Sequence, residues 1–150
     1  MCIVTSTVNE SIHSISSIPG NEGKGFLLDE KTDEKLAQQL AATTQSSSSR
    51  CCFFLQVNPE QLSEYVEVHQ HVWPEMRQAL TDSGWRNYSL FLQPETGRVV
   101  GYFEADDVEK AQVSMAEHPV NEKWQAEMAR YFVQPDGGTN EVLPQYFYLA

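Results

Sequence analysis

Aromatic side chains are distributed unevenly along this chain of 150 residues. Phe26 is the only one before Arg50, and the other fifteen Phe, Tyr and Trp residues follow it. Large rings supply much of the apolar area that folding buries, so a segment almost without them cannot build a core. We therefore expect one folded domain over residues 51–150, preceded by a disordered extension over residues 1–50. Within that extension, residues 33–42 have the composition of a short helix.

The charge of the chain narrows the choice of partners. It has 21 acidic and 10 basic residues, a formal net charge of -11, and no cluster of Lys and Arg. Such a surface repels nucleic-acid backbones and anionic membranes and favours a neutral or cationic small molecule. No apolar run approaches the ~20 residues that cross a bilayer, and the N-terminus lacks the features of a secretory signal. We expect a cytoplasmic protein without nucleic-acid or membrane partners.

The residues that commonly bind metals do not form a chelating set. Three cysteines, two of them adjacent at Cys51 and Cys52, give no disulfide framework, because successive strand residues point to opposite faces. His69 and His71 are two positions apart, which on a helix separates them by about 200°. The sequence therefore predicts neither a disulfide nor a metal site.

Turn and cap signals after Arg50 divide the chain into strands and helical stretches. The expected order is a strand at 51–57, a helix from Asn58 interrupted at Pro74, strands at 86–93 and 98–105, helical stretches at 107–118 and 119–132, and a strand at 146–149. Residues alternate along 86–93, with one face formed by Tyr88, Leu90 and Leu92 and the other by Asn87, Ser89 and Phe91. This β-α-β-β-α-β order predicts an α+β fold of the ferredoxin-like type, an antiparallel sheet with helices on one face. The other face needs a cover, so we expect a homodimer.

One helix face combines a titratable imidazole with aromatic rings. Tyr65, His69 and Trp73 are four residues apart and stack along one side of the helix. The same stripe continues through four apolar residues: Leu62, Val66, Met76 and Leu80. A stripe of this kind faces the core, so His69 is either a hydrogen-bonded core residue or a proton-transfer group in a dry site.

Further aromatic residues offer walls for a ligand. Tyr65, Tyr88, Trp73 and Trp124 could surround a sugar ring, since aromatic faces pack on its C–H groups and phenols bond to its hydroxyls. At helical spacing such residues are also ordinary core residues. Core packing is the preferred interpretation for Trp73, while both interpretations stay open for Trp124.

Several motifs, in order and at compatible spacing, resemble the L-rhamnose mutarotase family over essentially all of residues 51–150. They are Phe53-Phe54-Leu55-Gln56-Val57-Asn58-Pro59, Glu64-Tyr65, His69, Val72-Trp73-Pro74-Glu75, Gly84, Asn87-Tyr88-Ser89-Leu90-Phe91, Tyr102-Phe103-Glu104, Lys123-Trp124 and Tyr146-Phe147-Tyr148-Leu149. The resemblance does not extend into residues 1–50.

The resemblance implies a fold, a reaction and a set of site residues. The fold is a dimeric α/β-barrel of two ferredoxin-like units, and the reaction is interconversion of the α and β anomers of L-rhamnose, an isomerase activity that needs no cofactor and no metal. His69 matches the catalytic proton donor, and Tyr65, Tyr88 and Trp124 match sugar-contacting positions. Bacterial members carry a second tryptophan where this chain has Gln125, so Gln125 is a candidate sugar contact that would change sugar preference.

Ring opening suits these residues chemically. The ring oxygen gains a proton while the anomeric hydroxyl loses one, and an imidazole with a reference pKa of about 6.5 can take part in both transfers. Tyr65 either orients the sugar or relays the second proton. Two alternatives stay open: a non-catalytic sugar-binding protein of the same fold, and a haem-binding or quinone-oxidising enzyme in which His69 is an axial ligand.

Overall fold

A computed structural model describes residues 30–44, 46–133 and 141–149, which belong to two compact units. The first unit contains helix α1, Glu30–Ala41, which confirms the short helix predicted at 33–42. The predicted disorder was wrong for the end of the extension, because the carbonyls of Ser48 and Ser49 accept from the amides of Val108 and Ala105 in the second unit. Residues 1–29 lie outside the described residues, so their disorder stays a prediction. The described residues from 46 onward belong to the second unit.

No helix in the described part of the chain is both long and apolar enough to cross a membrane.

A four-stranded antiparallel sheet forms the frame of the second unit. Its strands are β1 Arg50–Gln56, β2 Arg86–Gln93, β3 Arg98–Glu104 and β4 Glu141–Val142. Their order across the sheet is β2-β3-β1-β4, with β1 and β3 in the centre. This arrangement confirms the predicted α+β, ferredoxin-like fold.

Four helices connect the strands, and their ends follow the predicted signals. They are α2 Leu62–Gln70, α3 Pro74–Asp82, α4 Val108–Ala116 and α5 Pro119–Met128. Asn58 caps the short 3-10 turn that leads into α2, accepting from the Glu60 amide at 3.1 Å. Proline cannot continue a helix, and accordingly α2 ends before Pro74 and α3 begins at it. His118 is a helix-end residue as expected, because its Nδ1 accepts from the amide of Val120.

The core lies between the helices and one face of the sheet. Tyr88, Leu90 and Leu92 of β2 pack against the core, whereas Phe91 points away and is exposed, which confirms the predicted alternation. The largest fully buried side chains come from both layers: Phe53, Val57, Val99, Met76, Phe103, Met115, Trp124, Met128 and Tyr131.

One residue of the predicted inward stripe was placed wrongly. Met76 and Leu80 are buried and Leu62 packs against the core, but Val66 is 38% exposed. Tyr65 is the buried residue of α2, and the next position on a helix points about 100° away from it. Val66 therefore faces solvent beside a helix face that Tyr65 defines.

The predicted final strand at 146–149 was also wrong. The last strand is β4, which pairs with Phe53 and Phe54 of β1. The amide of Leu143 adds one more bond to the carbonyl of Cys52 at 2.8 Å. Pro144 then has no amide hydrogen to donate, so the ladder stops, and residues 146–149 lie beyond it with exposed side chains.

The centre of the sheet requires a glycine at Gly101. This residue pairs with Phe53 across β1 and β3, and a Cβ atom built on it would lie 2.3 Å from the Phe53 ring. Phe53 is 1% exposed and cannot swing into solvent without leaving the core. The ring of Phe53 thus occupies the space that a side chain at position 101 would need.

Gly101→Ala should destabilise the protein by about 1–3 kcal/mol, because overpacking forces the Phe53 ring out of its position. Chemical denaturation of wild type, Gly101→Ala, Phe53→Leu and the double variant measures this cost and its origin. A smaller residue at 53 should recover part of the loss, so the two changes should be non-additive. Strict additivity would contradict a direct clash between the two positions.

Candidate active site

A cavity of about 760 Å³ opens between the α2–α3 region and strand β2, an edge strand of the described sheet. Its volume lies within the 300–1,000 Å³ typical of ligand pockets. Apolar residues form part of the wall, and polar side chains form the larger part: His69, Gln70, Arg77, Gln78, Thr81, Arg86, Asn87 and Tyr88. A wall of this mixed kind offers hydrogen-bond partners to a polar small molecule.

The hydrogen bonds of His69 identify its tautomer. Its Nδ1 lies 2.8 Å from the backbone carbonyl of Tyr65, and a carbonyl only accepts, so Nδ1 carries the proton and donates. Its Nε2 is buried and has no hydrogen-bond partner among the described residues. The neutral ring therefore keeps an unengaged lone pair on Nε2.

Burial determines the charge of the His69 ring. Removal from water disfavours the imidazolium and lowers the pKa of His69 from 6.5 to about 4, although the hydrogen bond to the Tyr65 carbonyl opposes the change. The ring is therefore uncharged near neutral pH. In that state His69 can accept a proton at Nε2 and has none to give there, which differs from the donor role that the family resemblance implied.

Trp124 forms the wall behind the imidazole. It is 0% exposed, and its ring stands edge-on to those of His69, at 5.6 Å between centroids, and Trp73, at 5.1 Å. Its Nε1–H is buried without a hydrogen-bond partner in the described part of the chain. An unsatisfied buried donor costs about 1–3 kcal/mol, so a ligand oxygen bonded to this N–H would be stabilised. Trp124 is thus both a core residue and a candidate ligand contact.

Tyr65 is fixed from two sides next to His69. Its ring lies 4.2 Å from the imidazole and meets the rings of Tyr131 and Phe132 edge-on at 5.8 and 6.1 Å. The Tyr131 hydroxyl in turn donates to Glu64 at 2.9 Å. Packing and this hydrogen bond together restrict the aromatic layer that supports the imidazole.

A β-bulge positions Tyr88 in the cavity wall. The register of β2 against β3 shifts between Arg86 and Ser89, and Asn87 within the bulge has φ of 49°. Asparagine tolerates this left-handed conformation better than most residues, and its Nδ2 donates to Glu104 at 3.1 Å. Bulges near sites reorient side chains, and here the bulge places Tyr88 edge-on to Trp85 at 5.1 Å.

The structure brings together four of the five residues selected from the sequence. Tyr65, His69 and Trp124 are in ring contact, and Tyr88 lines the same cavity as His69. The fifth residue, Gln125, donates its amide to Asn121 at 3.1 Å. Tyr65, Trp124 and Gln125 are not among the described cavity-lining residues, and Tyr65 and Trp124 join the site through their ring contacts with His69.

Two secondary expectations about this region are confirmed. The side chain of His71 is 75% exposed beside Glu67 and faces away from His69, as its spacing predicted. Trp73 packs against the core, which was the interpretation preferred for it from the sequence.

Sequence reasoning missed Trp85, Arg77 and Asn87. Trp85 is buried, stacks on Phe103 at 3.6 Å and bonds through its indole to the carbonyl of Ala111. A signal for Arg77 was present, since Pro74, Arg77 and Thr81 recur at spacings of three and four and form a second stripe on α3. We found no comparable signal for Asn87, whose role depends on the register of two strands.

Across residues 30–44, 46–133 and 141–149, no group of three or more His, Cys, Asp or Glu side chains is arranged to hold a metal ion. Cys51 is buried and Cys52 partly so, and both are free thiols. Burial raises the pKa of Cys51 to about 11, which keeps this thiol protonated and unreactive.

Comparison with known proteins identifies the family of this domain. The profile described as L-rhamnose mutarotase matches residues 50–149. The chain belongs to the L-rhamnose mutarotase family. It is 33% identical to the L-rhamnose mutarotase of Tolumonas auensis over 103 residues, which are 67% of this chain and 98% of that protein. It is 44% identical to that of Enterococcus faecalis over 72 residues, 48% of this chain and 69% of the relative.

A solved structure supports the same assignment. The crystal structure of L-rhamnose mutarotase from Formosa agariphila has 30% sequence identity and a TM-score of 0.60, and covers 69% of this chain and all of that one. The family match begins at Arg50, the residue at which aromatic side chains become frequent. The L-rhamnose mutarotase family consists of anomer-interconverting isomerases.

Proposed function

We propose that this protein interconverts the α and β anomers of L-rhamnose in the cavity beside His69. Family membership supports the reaction, and one observation supports the location. The Nε2 atom of His69 is buried and without a hydrogen-bond partner among the described residues, its ring is uncharged, and His69 lines a cavity that Tyr88 also lines. A base held in this way is ready to accept a proton from a bound hydroxyl.

In the proposed first step, Nε2 of His69 accepts the proton of the anomeric hydroxyl while the bond from the anomeric carbon to the ring oxygen breaks. The lowered pKa of His69 makes it a weaker base than an exposed histidine, but keeps it in the basic form at neutral pH. The imidazolium that forms is stabilised by the Tyr65 carbonyl, which already accepts from Nδ1–H at 2.8 Å.

The ring oxygen needs a proton from a second group, because neutral His69 has no proton on Nε2. A phenol has both the hydrogen and the hydrogen-bonding capacity for this role. We assign it to Tyr88, which lines the cavity together with His69, and assign Tyr65 to orientation of the imidazole through its ring contact at 4.2 Å. The free aldehyde then rotates, and the same transfers in reverse close the ring with either face exposed.

His69→Asn should lower the rate of anomer exchange by ~10²–10⁴-fold, because asparagine keeps polarity but cannot take up a proton. Saturation transfer between the anomeric NMR signals of L-rhamnose measures the rate. His71→Asn is the matched control and should change little, since His71 is exposed. Exchange within a fewfold of wild type in folded His69→Asn would contradict the assignment.

For wild type, kcat/KM should be constant near neutral pH and fall as pH decreases through about 4, where His69 becomes protonated.

We further propose that Gln125 influences sugar preference, a role suggested by the second tryptophan of bacterial relatives. The Gln125 amide donates to Asn121, a buried residue that lies one turn before Trp124. A substitution at position 125 can therefore affect the site through the bond between Gln125 and Asn121. Gln125→Trp should alter the ratio of exchange rates for L-rhamnose and L-mannose while ring opening continues, because an indole adds contact area. Identical ratios in the two proteins would remove Gln125 from the site.

We also propose that the protein is a homodimer through the sheet face opposite the helices. Phe91 on this face is 61% exposed, and Tyr146 and Phe147 of the C-terminal segment are 71% and 64% exposed. Apolar area of this kind is stabilised by a partner. Light scattering of the full chain at micromolar concentration should give twice the mass of one chain, and Phe91→Glu should reduce it. A wild-type mass of one chain would contradict the proposal.

A further inference from the structure

The cavity wall contains cationic side chains although the protein is acidic overall. The chain carries a net charge of -11, and the described lining includes Arg77 and Arg86 and no Asp or Glu. Acidic groups lie just behind this lining, since Arg86 pairs with Asp106 and Asn87 donates to Glu104. The chain has five arginines, so two of the five lie in this one wall. The expectation of a neutral or cationic ligand rested on the net charge, whereas a bound ligand experiences mainly the charges within a Debye length of about 10 Å.

Arg77 differs from the other four arginines in its interactions with neighbouring side chains. Arg86 and Arg130 form ion pairs with Asp106 and Glu64, and Arg50 and Arg98 stack on aromatic rings. Within the described residues, the Arg77 guanidinium has no ion pair and no ring contact. Its five N–H donors are therefore available to a ligand in the cavity.

We propose that Arg77 binds an anionic substituent on the sugar, so that the protein also acts on the hexuronate related to L-rhamnose. The inference rests on the proposed function, in which His69 acts at the anomeric carbon. L-Rhamnose carries a methyl group on carbon 5, and a carboxylate in that place leaves every hydroxyl and the anomeric centre unchanged. The same proton transfers then apply to both sugars, and Arg77 adds a bidentate contact only with the anion.

The cavity that Arg77 lines and the position of Arg77 in α3 fit this role. Arg77 and His69 line one cavity of about 760 Å³, so a sugar bound at His69 and an anionic substituent at Arg77 can share it. Arg77 lies in α3, one turn before Thr81, and the Thr81 hydroxyl donates to the backbone carbonyl of Arg77 at 3.1 Å. Of the other polar groups nearby, Gln78 is engaged with Asp82 and Arg86 with Asp106.

The test compares sugars that differ only at carbon 6. Saturation-transfer NMR would measure kcat/KM for anomer exchange of L-mannose, L-mannuronate and L-mannose 6-phosphate, which carry a neutral group, a carboxylate and a phosphate. Wild type should prefer L-mannuronate over L-mannose by about fivefold, the strength of a good exposed ion pair. The phosphate arm shows whether a carboxylate or a phosphate is the favoured anion.

Variants connect the preference to Arg77. Arg77→Gln should bring the ratio of anionic to neutral sugar close to one, and Arg77→Lys should retain part of it. Arg98→Gln, a loss of the same charge outside the cavity, should leave the ratio unchanged. Added salt should reduce the wild-type ratio by screening an exposed pair. A wild-type ratio near one for L-mannuronate, or the same ratio in Arg77→Gln, would overturn the proposal.

A binding measurement separates this inference from the proposed function. Ligand-observed NMR with L-mannuronate and L-mannose reports binding whether or not exchange is catalysed. Binding of L-mannuronate that depends on Arg77, without exchange of L-rhamnose anomers, would contradict the mutarotase function and support the anion site. Exchange of L-rhamnose without Arg77-dependent binding of L-mannuronate would support the function and contradict the anion site.

Discussion

The proposed chemistry depends on one hydrogen bond, from Nδ1–H of His69 to the carbonyl of Tyr65. Because the carbonyl holds the proton at Nδ1, the lone pair of the neutral ring is on Nε2. Burial keeps that lone pair unprotonated in the resting protein at neutral pH. Without the bond, the ring could place its proton on Nε2 and would present a donor in place of an acceptor. The tautomer is thus set by the backbone of the preceding helical turn.

The ferredoxin-like fold keeps this histidine in place through rigid neighbours. Helix α2 ends one residue after His69, and the break before Pro74 gives α3 its own direction, so the cavity lies between two helices and the edge of the sheet. Trp124 packs edge-on against the His69 ring, and the bulge in β2 precedes Tyr88 in the cavity wall. Precise placement of this kind is what acid–base catalysis requires of a scaffold.

Local signals predicted the parts of this structure that local chemistry determines. The cap at Asn58, the break at Pro74 and the alternation of β2 depend on neighbouring residues, and all three are present. Features that depend on distant contacts were not predictable in this way. The exposure of Val66 follows from how α2 rotates on the sheet, and the end of β4 from pairing with β1.

In the candidate site, too, the sequence predicted which residues take part but not how their surroundings change them. Spacing and family resemblance selected His69, Tyr65, Tyr88 and Trp124, which the structure brings to one region. The reference pKa of histidine suggested a group that both gives and takes protons, but desolvation by the packed rings lowers the pKa of His69 to about 4.

Nitrogen-15 NMR of the full chain, with the His69 signal assigned from the His69→Asn spectrum, tests the central claim directly. The ring should be neutral from pH 8 to pH 5 with its proton on Nδ1; titration of His69 near its reference pKa of about 6.5, or a proton on Nε2, would contradict the account.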